Sequence, residues 1–534
     1  MKQIKLLLFA LLSLLGSMTI AQQVDNYHSV PEGGAWFYAS TWIGPDLYPD
    51  SDDNAFIEGP GSVLVHLGNP CGFLHVKPNG SLINQTAGSY LLINGNVINE
   101  GYIGENPEIP SSLSLRVYGN SFQQHGYINS NVTINFLGID GPSASITASQ
   151  PFNAQTITSS NRDIVINQNY LELIGTKILM YEKWFSFPSS GTSILNATGY
   201  AGSDQNYLQA KISADTLIFQ TNGNYHIKSA DFHMNYLDIQ GNLEVDGICD
   251  FETDVLINDT LQNMNDATYE KVNVYGNIIN NGTIRTTLSD FFINLYGNLY
   301  NEGTWENSIT SLEDTLDQTI ELLNGSTIDS QVQFVVPSGN SDYRWYKDGV
   351  LLLTDFRFSG TYSNTLVFNV PVTAVMVGRY YCKTEDGISR SIYVKTDDPA
   401  KQLDLKVVLE GPFSGSEMTT ALNPILPLSP PFASEPWNFI SPDSVLSIPN
   451  SDITDWVMVE LRDVSDIQSA TEETMIARMP AFLLKDGSIV GLDGTSLPEF
   501  PGTINDQLFV VVWHRNHLPV MSAFPLRIGR YVQL

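Results

Sequence analysis

The chain has 534 residues, 42% of them apolar, so it is long enough for three or four domains and too apolar to be wholly disordered. Its formal net charge is -31, yet only 16% of its residues are charged, so the acid is spread thinly and basic residues do not cluster. That balance excludes nucleic acid as a partner, because phosphates need grouped Lys and Arg.

The first element is "MKQIKLLLFALLSLLGSMTIAQQ". Two lysines precede an apolar run, and small residues stand before Gln22, which reads as a secretory signal peptide over residues 1–21. No later stretch is apolar enough to span a bilayer, so no transmembrane segment is expected once the signal is removed. Export would permit disulfides, but Cys71, Cys249 and Cys382 are too few and too far apart to form a disulfide scaffold. Next, "PDSDDNAF" groups Asp50, Asp52 and Asp53, oxygen donors of the kind calcium takes. The loop lacks the Asp-x-Asp-x-Asp-Gly order and the distal Glu of an EF-hand, so a solvated acidic turn is the reading, with no cofactor expected and calcium the one metal to test.

Over residues 22–315 a short pattern recurs: "LLINGNVINEGYI" at Gly95, "LRVYGNSFQQHGYI" at Gly119, "LDIQGNLEVDGIC" at Gly241, "VNVYGNIINNGTI" at Gly276 and "INLYGNLYNEGTW" at Gly297. Alternating apolar residues before Gly-Asn predict a short strand with one buried face. The Gly-Asn pair is expected to supply a positive-φ corner. Copies 21 to 24 residues apart match one coil of a β-solenoid, in which each rung buries its apolar positions against the next. Coils of about 22 residues would give about twelve rungs between residues 41 and 310. Two residues after the second glycine stand Ile103, Ile128, Cys249, Ile284 and Trp305, which predicts one buried stacking column with Cys249 as a small hydrophobe in it. Tyr118, Tyr275 and Tyr296 precede Gly-Asn, where they could stack on sugars or simply cover a corner. Acids such as Glu100, Asp246 and Glu302 are scattered, with no Lys or Arg recurring beside them.

The stretch "GGAWFYASTWIGPDLYPDSDDNAFIEGPGSVLVHLGNPCGFLHVKPNGSL", with Trp42 and Pro49 ahead of an Asp-Asn-apolar strand, resembles the first rungs of β-helix proteins secreted by Gram-negative bacteria. The resemblance implies a right-handed parallel β-helix and an extracellular or outer-surface location. Parallel β-helices also host polysaccharide lyases and glycosidases, which need paired carboxylates or a base beside a bound sugar.

From residue 316 to 397 the rhythm changes. "YRWYKDGVLL" places Trp345 on a strand before an Asp-Gly turn, and "VGRYYCKTEDG" follows with Tyr380 and Cys382. Trp on one strand and Tyr-x-Cys on a later one form the core signature of an immunoglobulin-like sandwich. The strand "VQFVV" holds no partner cysteine, so Cys382 is expected to pack unpaired beside Trp345.

After a polar linker, residues 402–534 read as a second antiparallel sandwich, with Asp486-Gly487 as a hairpin signal. The segments "LEGPF", "DWVMVELRD", "LLKDGSIVGLDG" and "HRNHLPVMS" resemble a module near the C-terminus of bacterial proteins exported by type IX secretion, in which a sorting domain normally follows. Because the chain stops at "RIGRYVQL", the resemblance implies a truncated gene or fragment. His514 and His517 invite a metal, but residues three apart on one strand face opposite ways. The expectation is instead a structural network in which Arg515 and its neighbours meet Asp455, Glu460 or Asp463.

The sequence thus predicts an all-β chain: a right-handed β-solenoid, an immunoglobulin-like sandwich and a C-terminal sandwich. The expected role is a non-catalytic, adhesin-like surface protein whose repetitive face meets an extracellular glycan or protein; the alternative is a polysaccharide-degrading enzyme on the same scaffold. Oligomeric state is not legible.

Overall fold

The computed structural model describes residues 24–534 apart from 139–142, 199–206, 265–268, 288, 398–399, 501, 503, 527–531 and 534; the signal peptide expected over residues 1–21 lies outside the described residues. The chain is all-β, with a β-solenoid of about 12 turns, and it divides into two compact units, 1–234 and 235–534.

In the first unit, successive turns pair in parallel. One ladder runs through Asn26–Ser29, Asn54–Ile57, Phe73–Val76, Val97–Asn99, Ser121–Gln124 and Ala144–Ala148. A second joins Leu67–Cys71, Tyr90–Ile93, Leu113–Val117 and Val132–Phe136. A third sheet of five strands includes Ser81–Asn84, Tyr102–Gly104 and Tyr127–Ile128. Alternation puts every second side chain inside, so Ala55, Leu74, Val97, Phe122 and Ile146 stack as a buried column. Each apolar side chain so buried contributes about 1.5–3 kcal/mol. Tyr27, Trp36 and Trp42 fill the first turn, the two indoles 4.9 Å apart.

Of the five Gly-Asn copies Gly241 alone has the expected positive φ, at 152; the other four work differently. Gly95, Gly119, Gly276 and Gly297 are not among the positive-φ residues. What they need is space: a Cβ on Gly297 would sit 2.3 Å from the Gly276 carbonyl oxygen, and one on Gly119 would sit 1.9 Å from that of Gly95. The asparagine then ties the rungs together. Asn277 Oδ1 accepts from the Asn298 N–H at 2.8 Å, and Asn298 Oδ1 accepts from the Thr319 N–H at 2.8 Å. The later Asn-x-Gly is an internal amide ladder, with Asn280 Nδ2 donating to Asn301 Oδ1 at 2.8 Å between two fully buried side chains.

In the second unit the rungs continue through Glu270–Val274, Phe291–Leu295 and Ile309–Leu312. Ile103 and Ile128 pair in the first unit, and Ile284 pairs with Trp305 in the second, all buried. Cys249 is buried as well but belongs to another column, opposite Val272; Leu261 is the residue opposite Ile284. The Gly241 copy differs in that its strand, Asp231–Asp246, runs on through the Gly-Asn pair without the usual corner.

The parallel ladder does not end at residue 315. Gln331–Val335 pairs in parallel with Ile309–Leu312, and Gly387–Thr396 pairs in parallel with Gln318–Leu322, so two strands of the immunoglobulin-like module extend the solenoid sheet and cover its open edge. Arg390 clamps the join, donating to the carbonyls of Leu312 and Val335 at 3.0 and 3.1 Å. Desolvation draws its guanidinium down to about 10, with Asp314, Asp317 and Glu313 opposing. Within the module Trp345 lies opposite Cys382, whose thiol is free and buried. The Tyr380 hydroxyl, two residues before that cysteine, donates back to the Met376 carbonyl at 2.6 Å. This is the tyrosine corner of immunoglobulin-like sandwiches.

The C-terminal module is built on a five-stranded antiparallel sheet in the order Ile489–Val490, Met475–Leu484, Ile453–Asp463, Leu508–His514, His517–Met521. Gly487, at φ 92, makes the Asp-Gly hairpin. Both faces are buried. Val457, Val459 and Leu461 pack with Leu403, Leu405 and Leu409 on one side, and Trp456, Met458 and Phe482 pack with Leu426, Phe432 and Phe439 on the other. One cover is made of short strands; the other, over residues 419–452, is almost free of regular structure.

Candidate functional site

Outward-facing positions of the parallel rungs form columns of like residues. In the second unit, register aligns Asp250, Asn273 and Asn294, and beside them Lys271 and Phe292. Tyr275 and Tyr296 stack at 4.8 Å between ring centres and 14° between planes, and Tyr269 stacks on Phe292 at 4.8 Å. That separation is the rung spacing, so the stacks follow directly from the register. Tyr275 and Tyr269 stay about half exposed, at 48% and 56%. Asn273 Nδ2 donates to Asp250 Oδ1 at 2.7 Å. Desolvation raises the Tyr296 phenol, with Glu313, Tyr275 and Asp250 adding to it. Desolvation also raises the Glu313 carboxyl, with Lys271 and Arg390 opposing. The result is a flat surface of aromatic edges, amides and carboxylates, the composition that recognises sugar hydroxyls and ring faces. Tyr118, in the first unit, is 44% exposed, and its carbonyl accepts from Arg162 Nη1 at 3.0 Å.

In the first unit another outward face carries charge. Lys77 N–H bonds to the Ile57 carbonyl, Glu100 N–H to Val76 and His125 N–H to Asn99, which aligns Glu58, Lys77, Glu100 and His125 on successive rungs. The neighbouring column holds His28, Phe56 and His75. His28 Nδ1 meets Glu58 Oε1 at 2.9 Å, and two rungs on His75 Nε2 meets Glu100 Oε2 at 2.7 Å. Glu100 therefore does have a lysine and a histidine beside it, against the sequence reading. Intervals of 19, 23 and 25 residues between these positions hide the alignment from any fixed-period scan. Of the other acids named, Asp246 is buried and Glu302 Oε1 accepts from Asn324 Nδ2 at 2.6 Å.

The acidic turn is occupied by its own backbone. Asp53 Oδ1 and Oδ2 accept from the N–H groups of Asp25 and Asp50, and Asp50 Oδ1 accepts from Asp52 N–H. Among the described residues no group of three metal-binding side chains converges.

The C-terminal module gathers most of the predicted polar set. His514 Nε2 lies 3.2 Å from Asp455 Oδ2, and Arg515 Nη2 donates to the same oxygen at 3.0 Å. Desolvation raises the Asp455 carboxyl, but the bonds from His514, Trp456 N–H and Arg515 outweigh it and hold it below the usual range. One expectation is corrected: His514 and His517 do meet, their Nδ1 atoms 2.9 Å apart. They do not lie on one strand; they face each other across a tight hairpin with Arg515 and Asn516 at its tip. Glu460 forms a separate cluster. Fully buried, it takes Arg462 Nε at 2.7 Å, Arg478 Nε at 2.8 Å and Trp513 Nε1 at 3.1 Å. Asp463 stands apart, capping the N–H groups of Asn505 and Asp506. Arg462 was within reach of sequence reasoning, two residues from Glu460 on one strand and so on the same face, whereas Arg478 comes to Glu460 only through cross-strand pairing.

The immunoglobulin-like and C-terminal modules also touch. Arg478 N–H donates to the Asp348 carbonyl at 2.9 Å, Arg379 Nη1 meets Asp443 Oδ1 at 2.5 Å, and the Tyr381 hydroxyl donates to the Ile440 carbonyl. These contacts border a mostly apolar cavity of about 180 Å³ lined by Tyr393, Phe439, Met479 and Phe500.

No family model matches the chain, and no curated protein matches it. Among solved structures the chain is similar to one described as Sidekick-1 immunoglobulin domains 1-5, at 15% identity and a TM-score of 0.12. The alignment covers 39% of this chain and 38% of that one, so the chain spans under two fifths of that structure's length. The immunoglobulin-like assignment stands on Trp345, Tyr380 and Cys382.

Proposed function

We propose that this is a secreted, adhesin-like protein of the outer surface of a Gram-negative bacterium, which presents solenoid rungs to an extracellular glycan. The single observation that carries this reading is the outward face of the second unit, where Tyr275 stacks on Tyr296 beside the aligned amides Asn273 and Asn294. Aromatic rings repeated at rung spacing suit a polymer that itself repeats.

A degradative enzyme is the second reading, and Glu58 and Glu100 are what favour it. They lie two rungs apart, about 9.6 Å at the usual strand spacing, near the upper end of the separation used by inverting glycosidases. Their surroundings are nevertheless alike: each holds one histidine, and they are 44% and 39% exposed. Acid and base roles need carboxylates with unlike surroundings, so binding is preferred.

Size-exclusion profiling of a polysaccharide panel incubated with residues 22–534 separates the two. Unshortened chains that co-elute with protein support binding, and a Tyr275→Ala/Tyr296→Ala variant should then lose about tenfold in affinity. Shortened chains would overturn it.

A further inference from the structure

The charged face of the first unit lies outside the aromatic face that carries the proposed function, and its chemistry differs. Three of the eight histidines of the chain lie on it, in adjoining columns: His28, His75 and His125. The charged groups facing them are Glu58, which bonds His28; Glu100, which bonds His75; and Lys77, between the two glutamates on the rung sequence. His125 Nδ1 lies 2.7 Å from the Ser149 hydroxyl on the following rung. At the opposite end of the same strands the Asp53 carboxylate accepts from the Asp25 and Asp50 N–H groups.

The pairs share one diagonal geometry. His28 reaches Glu58 on the next rung, Phe56 lies under the Lys77 ammonium at 5.6 Å, and His75 reaches Glu100 on the next. The rings themselves form a column, His28 stacked on Phe56 at 4.8 Å and 10°, and Phe56 6.0 Å from His75. A third column begins with Asn26 and Asn54, where Asn54 Nδ2 donates a hydrogen bond to Asn26 Oδ1 at 2.8 Å. Charge, aromatic faces and amides thus run side by side along the rungs.

We propose that this face binds a carboxylate-bearing polysaccharide in a proton-dependent way, taking it up in mild acid and releasing it at alkaline pH. With neutral imidazoles, Lys77 against Glu58 and Glu100 leaves the face at -1. Histidine is the side chain whose charge changes between pH 5 and 8, and protonation of three imidazoles takes the face to +2. Protonation therefore reverses the sign of the field that this face turns toward a polyanion. Each protonated imidazole that bonds a glutamate also neutralises it, so the carboxylates stop repelling those of the polymer. A polyuronate suits the face better than a nucleic acid. Among the charged columns there is one lysine and no arginine, too little for a phosphate backbone, whereas Phe56 and the Asn26–Asn54 pair offer a stacking surface and hydroxyl partners.

The test is affinity electrophoresis or calorimetry of the full chain with polygalacturonate, at pH 5.0 and 8.0, with dextran and single-stranded DNA as comparison polymers. Polygalacturonate binding should be about tenfold tighter at the lower pH and weaken with added salt. A His28→Gln/His75→Gln/His125→Gln variant replaces outward-facing residues and should keep its circular dichroism and melting profile while losing that pH gain. A Glu58→Gln/Glu100→Gln variant, left with Lys77 alone, should bind at pH 8.0 more tightly than the native chain does at that pH. Equal affinity at the two pH values, a pH gain kept by the triple variant, or tighter binding to DNA than to polygalacturonate would each overturn the proposal. A Tyr275→Ala/Tyr296→Ala variant that keeps the pH gain toward polygalacturonate supports a site separate from the aromatic face; loss of the gain in that variant would overturn the proposal.

Discussion

The solenoid and the C-terminal module solve the same problem, a polar group inside a β structure, in opposite ways. The rungs answer buried polar groups mostly with amides a turn away: Asn280 with Asn301, Asn99 with Gln124 at 2.9 Å, and the buried Glu244 with Gln262 at 2.7 Å. The C-terminal sheet answers buried carboxylates with basic side chains, Glu460 between two arginines and an indole, and Asp455 beside His514 and Arg515. Repetition makes an amide ladder inexpensive, since neither member carries a formal charge out of water. A buried carboxylate is tolerated only with every partner in place, because removing one leaves an uncompensated ion. Polar burial in the solenoid is therefore spread out and replaceable, whereas in the module it is concentrated.

The sharpest way to break that contrast is Glu460→Ala. It strands Arg462 and Arg478 at a site with no exposure, and should cost about 3–5 kcal/mol of unfolding free energy in denaturant titration. Next comes Gly297→Ala, whose methyl must push against the Gly276 carbonyl; about 2–3 kcal/mol is expected, with the loss confined to the second unit in hydrogen exchange. Asn280→Ala should cost less, about 1–2 kcal/mol, since Asn301 keeps its bond to the Thr327 carbonyl. A loss as large as that of Glu460→Ala would erase the distinction between ladder and cluster.

The smallest effect is pH-dependent. Asp455 has its carboxyl held below the ordinary value, so its stabilising effect is present above about pH 4 and is lost as pH falls through the depressed value. Asp348 runs the other way: burial raises its carboxyl, with Lys347 and the Arg379 N–H opposing, so its effect is present in acid and is lost as pH rises through the raised value. Asp348→Asn should therefore remove a decline in stability that sets in above about pH 4, and Asp455→Asn one that sets in below it, each read by thermal melts across pH.

How much of this was legible beforehand depends on whether a feature repeats. The copies at Gly276 and Gly297 announce strand, corner and strand, and the solenoid follows, because period-2 burial and a constant coil length are properties of the chain itself. Trp345, Tyr380 and Cys382 likewise mark their sandwich. The reason for Gly-Asn was not legible, since a positive φ and a carbonyl 2.3 Å from a missing Cβ demand the same residue.

Composition and periodicity alone determined that this chain is all-β and that its first half and more stacks in rungs. Tertiary structure decided the rest. It set which rung each side chain faces, so that residues 19 to 25 apart became the Glu58–Lys77–Glu100–His125 column. It folded His514 onto His517 through a hairpin, and carried the ladder past residue 315 into Gly387–Thr396. These are contacts between residues whose separation no period or propensity encodes; register is chosen by the whole sheet burying one face, and only then do the outward columns exist.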